Sequence, residues 1–178
     1  QRGDGPTTDV QVQRSLVEKS SIGALRLYSN SLDNNSDSPP VGYLRLIQFQ
    51  DGSFSDIFTS VSHLVEAGAH SLILDLRANV GGDLHEAIKI ANLFIDDSTL
   101  SGLIVSTRGH TDRGMPQEFY AKKPGEFTKL RVCVLIDGGS ASASEIVSAA
   151  LRDHGKAILL GANSYGKWTV QTIFRMGA

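Results

Sequence analysis

The chain has 178 residues, 40% hydrophobic, 20% charged and 7% aromatic, the balance of a globular chain with room for one domain and its core. Its 17 Lys and Arg stand against 19 Asp and Glu for a net charge of −2, and no basic run supplies the electrostatic footprint of a nucleic-acid or anionic-membrane binder. One cysteine, Cys133, excludes a disulfide framework and a Cys-based zinc site, and no apolar stretch approaches the ~18 residues of a membrane span.

The chain opens Gln1-Arg-Gly-Asp-Gly5, without Met or a signal-peptide pattern, and reads as a processed chain or an excised fragment. A glycine turn leads into an alternating strand over Val10–Arg14,. Residues 15–40 read as a connecting segment ending in a polar, turn-rich linker, Ser29 to Pro40, too poor in hydrophobes to bury anything. From Val41 the texture changes: Val41–Ile47 alternates as a strand, and Phe54, Ile57, Phe58, Val61, Leu64 and Val65 recur at helical spacing,. A short apolar strand, Ser71–Leu76, a glycine turn, Arg77–Gly82, and a helix carrying Leu84, Ala87, Ile88, Ala91, Leu93 and Phe94 follow. Strand Leu103–Ser106 precedes a long polar stretch, Thr107 to Thr128, of a length that marks a functional or mobile segment,. Strand Arg131–Ile136 contains Cys133, read as a small buried hydrophobe. Turn Asp137–Ala141, helix Ser142–Asp153, strand Lys156–Leu160, loop Gly161–Gly166 and strand Trp168–Phe174 complete the order. Alternating strands and helices predict an α/β fold with a largely parallel sheet.

Two glycine-rich turns join an apolar strand to a helix, Asn79-Val-Gly-Gly82 and Asp137-Gly-Gly-Ser-Ala-Ser-Ala-Ser-Glu145. Such turns lie at the carboxyl ends of strands, where helix N-terminal N–H groups favour an anion or oxyanion. Neither has phosphate-loop or dinucleotide spacing. The run Ser140-Ala-Ser-Ala-Ser144, with Glu145 three residues after Ser142, suits helix capping. Its small residues also leave room around a nucleophilic hydroxyl. The histidines, His63, His70, His85, His110 and His154, offer bases, none singled out by position, and His85-Glu86 lacks the second histidine of a metalloprotease motif,. Lys167, where a glycine loop enters the last strand, is the other candidate base; burial would lower its proton affinity. On that strand Lys167, Thr169 and Gln171 would share a face.

Taken in order, Gly42-Tyr-Leu-Arg-Leu46, Leu72–Gly82, Gly139–Ile146 and Gly166-Lys-Trp-Thr-Val-Gln171 resemble the carboxyl-terminal processing, or tail-specific, serine proteases, a Ser/Lys-dyad family. In that family the nucleophile is the middle serine of such a run, the lysine follows 25 residues later and a glutamine four beyond, intervals that Ser142, Lys167 and Gln171 meet. The resemblance spans most of residues 41–174. It implies a crotonase/Clp-like core from residue 41 to 178, shortened at its C-terminal end, with residues 1–14 similar to the last strand of a preceding PDZ domain. It implies that Ser142 attacks the scissile carbonyl, that neutral Lys167 takes its proton, that Gln171 positions Lys167, and that the N–H groups of Gly82 and Ala143 form the oxyanion hole. Glu145 and Asp153 match acidic positions of supporting role. Trp168 stands where the family has glycine and Val80 where proline is common, so that Trp168 narrows the groove or displaces the lysine loop.

The same resemblance implies an endopeptidase that needs no metal or other cofactor. Its partners would be protein or peptide substrates with apolar C-terminal tails, with a homo-oligomer left open, in the periplasm or thylakoid lumen. Two alternatives stand beside it. One is a catalytically silent binding or adaptor protein on the same fold, which an exposed, protonated Lys167 would favour. The other is a crotonase-like acyl-transfer enzyme using the glycine turns for a thioester oxyanion, which leaves the Ser/Lys/Gln spacing unexplained.

Overall fold

The period-2 pattern of Val41–Leu46 and the apolar runs of Ser71–Asp75 and Arg131–Ile136 form the centre of one sheet. The structure is a computed structural model and describes residues 20–29, 39–96, 102–109, 116–167 and 169–171. In chain order the strands are β1 (Ile22–Tyr28), β2 (Val41–Leu46), β3 (Ser71–Asp75), β4 (Leu103–Thr107), β5 (Gln117–Tyr120), β6 (Arg131–Ile136) and β7 (Ala157–Gly161). The helices are α1 (Ser53–Glu66), α2 (Leu84–Asn92) and α3 (Ala143–Asp153). The main sheet runs β1-β2-β3-β6-β7. β2, β3, β6 and β7 are parallel, β1 is antiparallel to β2, and β4 and β5 form a separate antiparallel ribbon. The expected α/β fold with a mostly parallel sheet is what the chain adopts.

Alternate residues of β2, β3 and β6, namely Leu44, Leu46, Leu72, Leu74, Val132 and Val134, join Ile57, Val61 and Leu64 of α1, Ala87, Ile90 and Ala91 of α2 and Val147, Ala150 and Leu151 of α3 in a continuous core. Each large aliphatic side chain buried there contributes about 1.5–3 kcal/mol. Glu86, itself buried, ties two helices together: its carboxylate accepts from the Phe54 N–H at 2.7 Å and from Lys89 Nζ at 2.7 Å. The register places Asp75 beside Leu135, so the turns after β3 and β6 emerge next to each other at one end of the sheet.

Four expectations change. Residues 22–28, read as connecting chain, are a full edge strand; Leu25 and Leu27 are 41% and 40% exposed there, and the resulting apolar-polar contrast is too weak to signal a strand. The polar stretch after β4 contains β5, only four residues long and paired locally. Thr169, Val170 and Gln171 are not in a strand; the chain leading to them is held by side-chain hydrogen bonds rather than a ladder. Cys133 is half-buried, because it alternates with the core-facing Val132 and Val134 onto the face opposite the helices, where Ile73 and Ile158 are its register partners. The expected strand at 10–14, His110, Trp168 and residues 172–174 lie outside the described residues, as does most of the polar linker.

Candidate active site

The turn after β3 is built by Asn79, which is fully buried. Its Nδ2 donates to the Leu46 carbonyl at 2.9 Å and its Oδ1 accepts from the Gly81 N–H at 2.9 Å, folding the chain so that two glycines follow in left-handed or extended-mirror conformations, φ 97° at Gly81 and 144° at Gly82. Both positions require glycine. A Cβ on Gly82 would lie 1.8 Å from the Phe49 carbonyl oxygen, and one on Gly81 would lie 2.6 Å from that of Ala141 and 2.8 Å from the Ala143 nitrogen. The flanking residues bond to Phe49, whose N–H donates to the Gly81 carbonyl at 3.1 Å while the Asp83 N–H donates to the Phe49 carbonyl at 2.9 Å. That parallel bridge leaves the Gly82 N–H on the side away from Phe49.

The turn after β6 is bonded to this one. Asp137 Oδ1 accepts from the N–H groups of Ala78 and Gly139, each at 2.9 Å, and the backbone donation from Ala78 is foremost in holding its carboxyl below the usual range. The Ala141 N–H donates to the Asn79 carbonyl at 3.0 Å. Within Ser140-Ala-Ser-Ala-Ser144 the outer serines are structural: Ser140 Oγ donates to the Leu76 carbonyl at 2.7 Å and Ser144 Oγ to that of Asn79 at 2.8 Å, both side chains fully buried. The middle serine differs. Ser142 is half-buried, precedes the first turn of α3, and has φ 55° and ψ −114°. Those are the dihedrals of the first central residue of a type II′ turn, which glycine dominates, and a non-glycine residue there stores strain. The strain presents its side chain at the head of α3, where the helix has unsatisfied N–H groups.

Glu145, one turn into α3, joins the serine to the loop after β7. Its Oε2 accepts from the N–H groups of Ser142 at 2.8 Å and Lys167 at 3.0 Å, and its Oε1 from Ser164 Oγ and the Gly166 N–H, each at 2.7 Å. Burial pushes its carboxyl up, but these four bonds outweigh burial and hold it below the usual range. The capping expected of Glu145 is therefore present in its Ser142 N–H arm, and the carboxylate also fixes the backbone of Lys167. The Tyr165 N–H donates to the Ser140 carbonyl at 2.9 Å, a second tie.

A cleft of ≈ 580 Å³ opens over this junction. Ser142, Ala143, Gly82, Lys167 and Gln171 all line it, with Val80, Leu84, Ile146 and Val170 as apolar wall and Gln48, Asp83 and His85 as further polar groups. Lys167 and Gln171 are exposed. Asp153 is not brought to the cleft: it ends α3, about 16 Å of helix from Ser142, and its Oδ1 pairs with Arg152 at 2.8 Å. His154 is buried and its Nε2 lies 2.7 Å from the Leu103 carbonyl, whereas His63 and His70 are exposed and absent from the cleft lining. No group of three or more His, Cys, Asp or Glu placed to hold a metal occurs among the described residues. Among them, too, no helix is long and apolar enough to cross a membrane.

Behind the first turn sits an ionic knot around a buried carboxylate. Asp75, with no exposed surface, accepts from Arg77 Nε and N–H on Oδ1 at 2.9 and 3.0 Å, and from Arg77 Nη2 and the Tyr43 hydroxyl on Oδ2 at 2.8 and 2.7 Å. Burial pushes its carboxyl up, yet these donors win and lower its pKa to about 2. Asn79, Asp137 and this knot are scaffolding of the two turns that the sequence reading did not assign; an Asp two residues before an Arg at a strand end was the available signal.

The chain is 42% identical over 142 residues to a carboxy-terminal-processing protease of Bartonella bacilliformis, covering 77% of this chain and 31% of that one. It is 36% identical over 163 residues to a carboxyl-terminal-processing protease of Synechocystis, covering 92% and 35%. It thus spans about a third of the length of these relatives. Its fold matches that of a solved photosystem II D1 C-terminal processing protease with a TM-score of 0.73 at 24% identity, over 88% of this chain and 40% of the other. Residues 40–178 match Peptidase family S41, and the chain belongs to that family.

Proposed function

We propose that the chain is the core of a serine endopeptidase that cleaves extracytoplasmic proteins near their C-termini through a Ser142/Lys167 dyad. The observation that carries the reading is one cleft lined by a strained serine at a helix head, a lysine, a glutamine and the Gly82 and Ala143 backbone. Ser142 Oγ attacks the scissile carbonyl carbon as its proton passes to the neutral Lys167 amine. The N–H groups of Gly82 and Ala143 hold the oxyanion that forms, aided by the α3 dipole. Collapse breaks the C–N bond, and the Lys167 ammonium gives its proton to the leaving amine. Water, deprotonated by Lys167, then releases the acyl group from Ser142. Gln171 orients the amine. Substrate lying across Val80, Leu84, Ile146 and Val170 shuts out water and favours the neutral lysine. The crotonase-like character of the core, the PDZ remnant at residues 1–14 and a periplasmic or thylakoid-lumen location belong to the same proposal and rest on the family.

One observation favours a second reading, a silent binding protein on this fold: Lys167 is exposed. Cleavage of an unfolded test protein with an apolar C-terminal tail separates the two. Activity lost in both folded Ser142→Ala and Lys167→Ala variants supports the dyad. Activity persisting in Ser142→Ala removes it, and tail binding without any cleavage supports the second reading.

A further inference from the structure

Six polar side chains line the cleft: Ser142, Lys167, Gln171, Gln48, Asp83 and His85. The first three are assigned to chemistry. Asp83 is the N-cap of α2, its Oδ1 accepting from the Glu86 N–H at 2.9 Å, so its position is fixed and its charge remains in the cleft. His85 has no part in the steps above, yet its exposed imidazole is braced from a second element. Phe119 of β5 meets it edge to face, with ring centroids 6.1 Å apart and an interplanar angle of 79°. Bracing of this kind limits the rotamers that an exposed ring would otherwise lose on binding.

We propose that His85 is a specificity-determining residue of this cleft, selecting a substrate carboxamide side chain, Gln or Asn, within two residues of the scissile bond; the inference rests on the peptidase reading above. An imidazole presents ring nitrogens that donate or accept, and a carboxamide carries both a carbonyl acceptor and N–H donors, so the pair matches in either tautomer. A carboxylate of the same shape offers no donor and meets the charge of Asp83, while an alkyl chain leaves the imidazole unpaired. Position relative to Ser142 follows from the size of the cleft: a volume of ≈ 580 Å³ accommodates only a few residues of an extended peptide at about 3.3 Å each. Phe119 is a positioning residue in this scheme.

The test is a set of otherwise identical fluorogenic peptides carrying Gln, Glu or Leu at each of the two positions on either side of the cleaved bond. At one of these positions the unmodified chain should cleave the Gln peptide about 5–10-fold better than the Glu peptide in kcat/KM, the scale of one hydrogen bond plus one repulsive charge. His85→Ala should bring that ratio towards 1, and Phe119→Leu should lower it by raising KM for the Gln peptide with kcat held. A Gln/Glu ratio near 1 at every position in the unmodified chain, or one unchanged in His85→Ala, overturns the proposal. Fluorescence anisotropy of the same peptides on the Ser142→Ala chain reads the subsite without turnover. Retained Gln preference there, with no Ser142-dependent cleavage in the unmodified chain, would overturn the dyad and support the subsite; equal binding of Gln and Glu peptides would overturn the subsite.

Discussion

Replacing Ser142 by glycine and, separately, by alanine isolates the cost of holding a side chain at φ 55°, ψ −114°. Both variants lose the hydroxyl, so any stability difference between them comes from the Cβ and from glycine's freedom in the unfolded chain. A non-glycine residue in so sparsely populated a region costs about 1–3 kcal/mol. Glycine releases that strain but gives back about 0.5–1 kcal/mol of chain entropy. The net expectation is that Ser142→Gly is more stable than Ser142→Ala by about 1 kcal/mol, a difference resolved by paired urea denaturation with equal m-values. The tight surroundings strengthen the comparison, because a Cβ built on Gly81 would lie only 2.8 Å from the Ser142 Cβ, leaving little room for the turn to relax. Equal stabilities, or alanine the more stable, would refute the idea that the placement of the Ser142 side chain is maintained by backbone strain.

Glu145→Gln keeps the shape but, with its NH2 at the Oε1 site, reverses the Ser164 bond, loses the Gly166 N–H bond and leaves an uncharged acceptor for Ser142 and Lys167,. With about 2 kcal/mol lost from positioning the proposed dyad, kcat should fall about 30-fold while the far-ultraviolet spectrum is unchanged; a kcat within twofold of the unmodified chain would exclude a positioning role. Gly82→Ala drives a methyl towards the Phe49 carbonyl, 1.8 Å from the ideal Cβ, and should destabilise the chain by more than about 3 kcal/mol as measured by denaturant titration. Because Asp75 has a folded pKa lowered to about 2, its contribution is fully present above its unfolded value of about 3.9 and is lost as pH falls towards 2. Asp75→Asn should therefore flatten the decline in stability between about pH 4 and 2, and an unchanged pH profile would show that the knot with Arg77 and Tyr43 adds nothing.

The central strands and helices were legible because their patterns are two-sided. Leu44 and Leu46, or Ile57, Val61 and Leu64, must face one core, and that need writes a period into the chain. β1 was not legible, since an edge strand with Leu25 and Leu27 on its exposed surface has no strong contrast between faces. The junction of the site was legible only as motifs. Ser140, Ser142 and Ser144 look alike in sequence, and what separates them is the position of two carbonyls, Leu76 and Asn79, supplied by the neighbouring turn. Glu145 could be read as a cap from its spacing. Its grip on Ser164, Gly166 and Lys167, some twenty residues on, depends on β7 returning the chain beside α3 and leaves no local trace.

The two halves of the proposed dyad are held by different physics, and this bears on how the site works. Ser142 and the N–H groups of Gly82 and Ala143 proposed to hold the oxyanion sit on turns cross-linked through Asn79, Asp137, Ser140 and Ser144, bonds that are largely buried and anchored to the ends of β3 and β6. Lys167 sits on an exposed loop anchored to α3 by one carboxylate, with the Tyr165 N–H as a further tie. Local opening follows the weaker, more solvated bonds, so Lys167, the proposed base, can be displaced from Ser142 while the Gly82 and Ala143 N–H groups stay in place. Preorganisation of the charge-stabilising groups is thus a property of the folded core. Placement of the lysine is instead set at the surface, where substrate lying over Val80 and Val170 adds the contacts that the loop lacks.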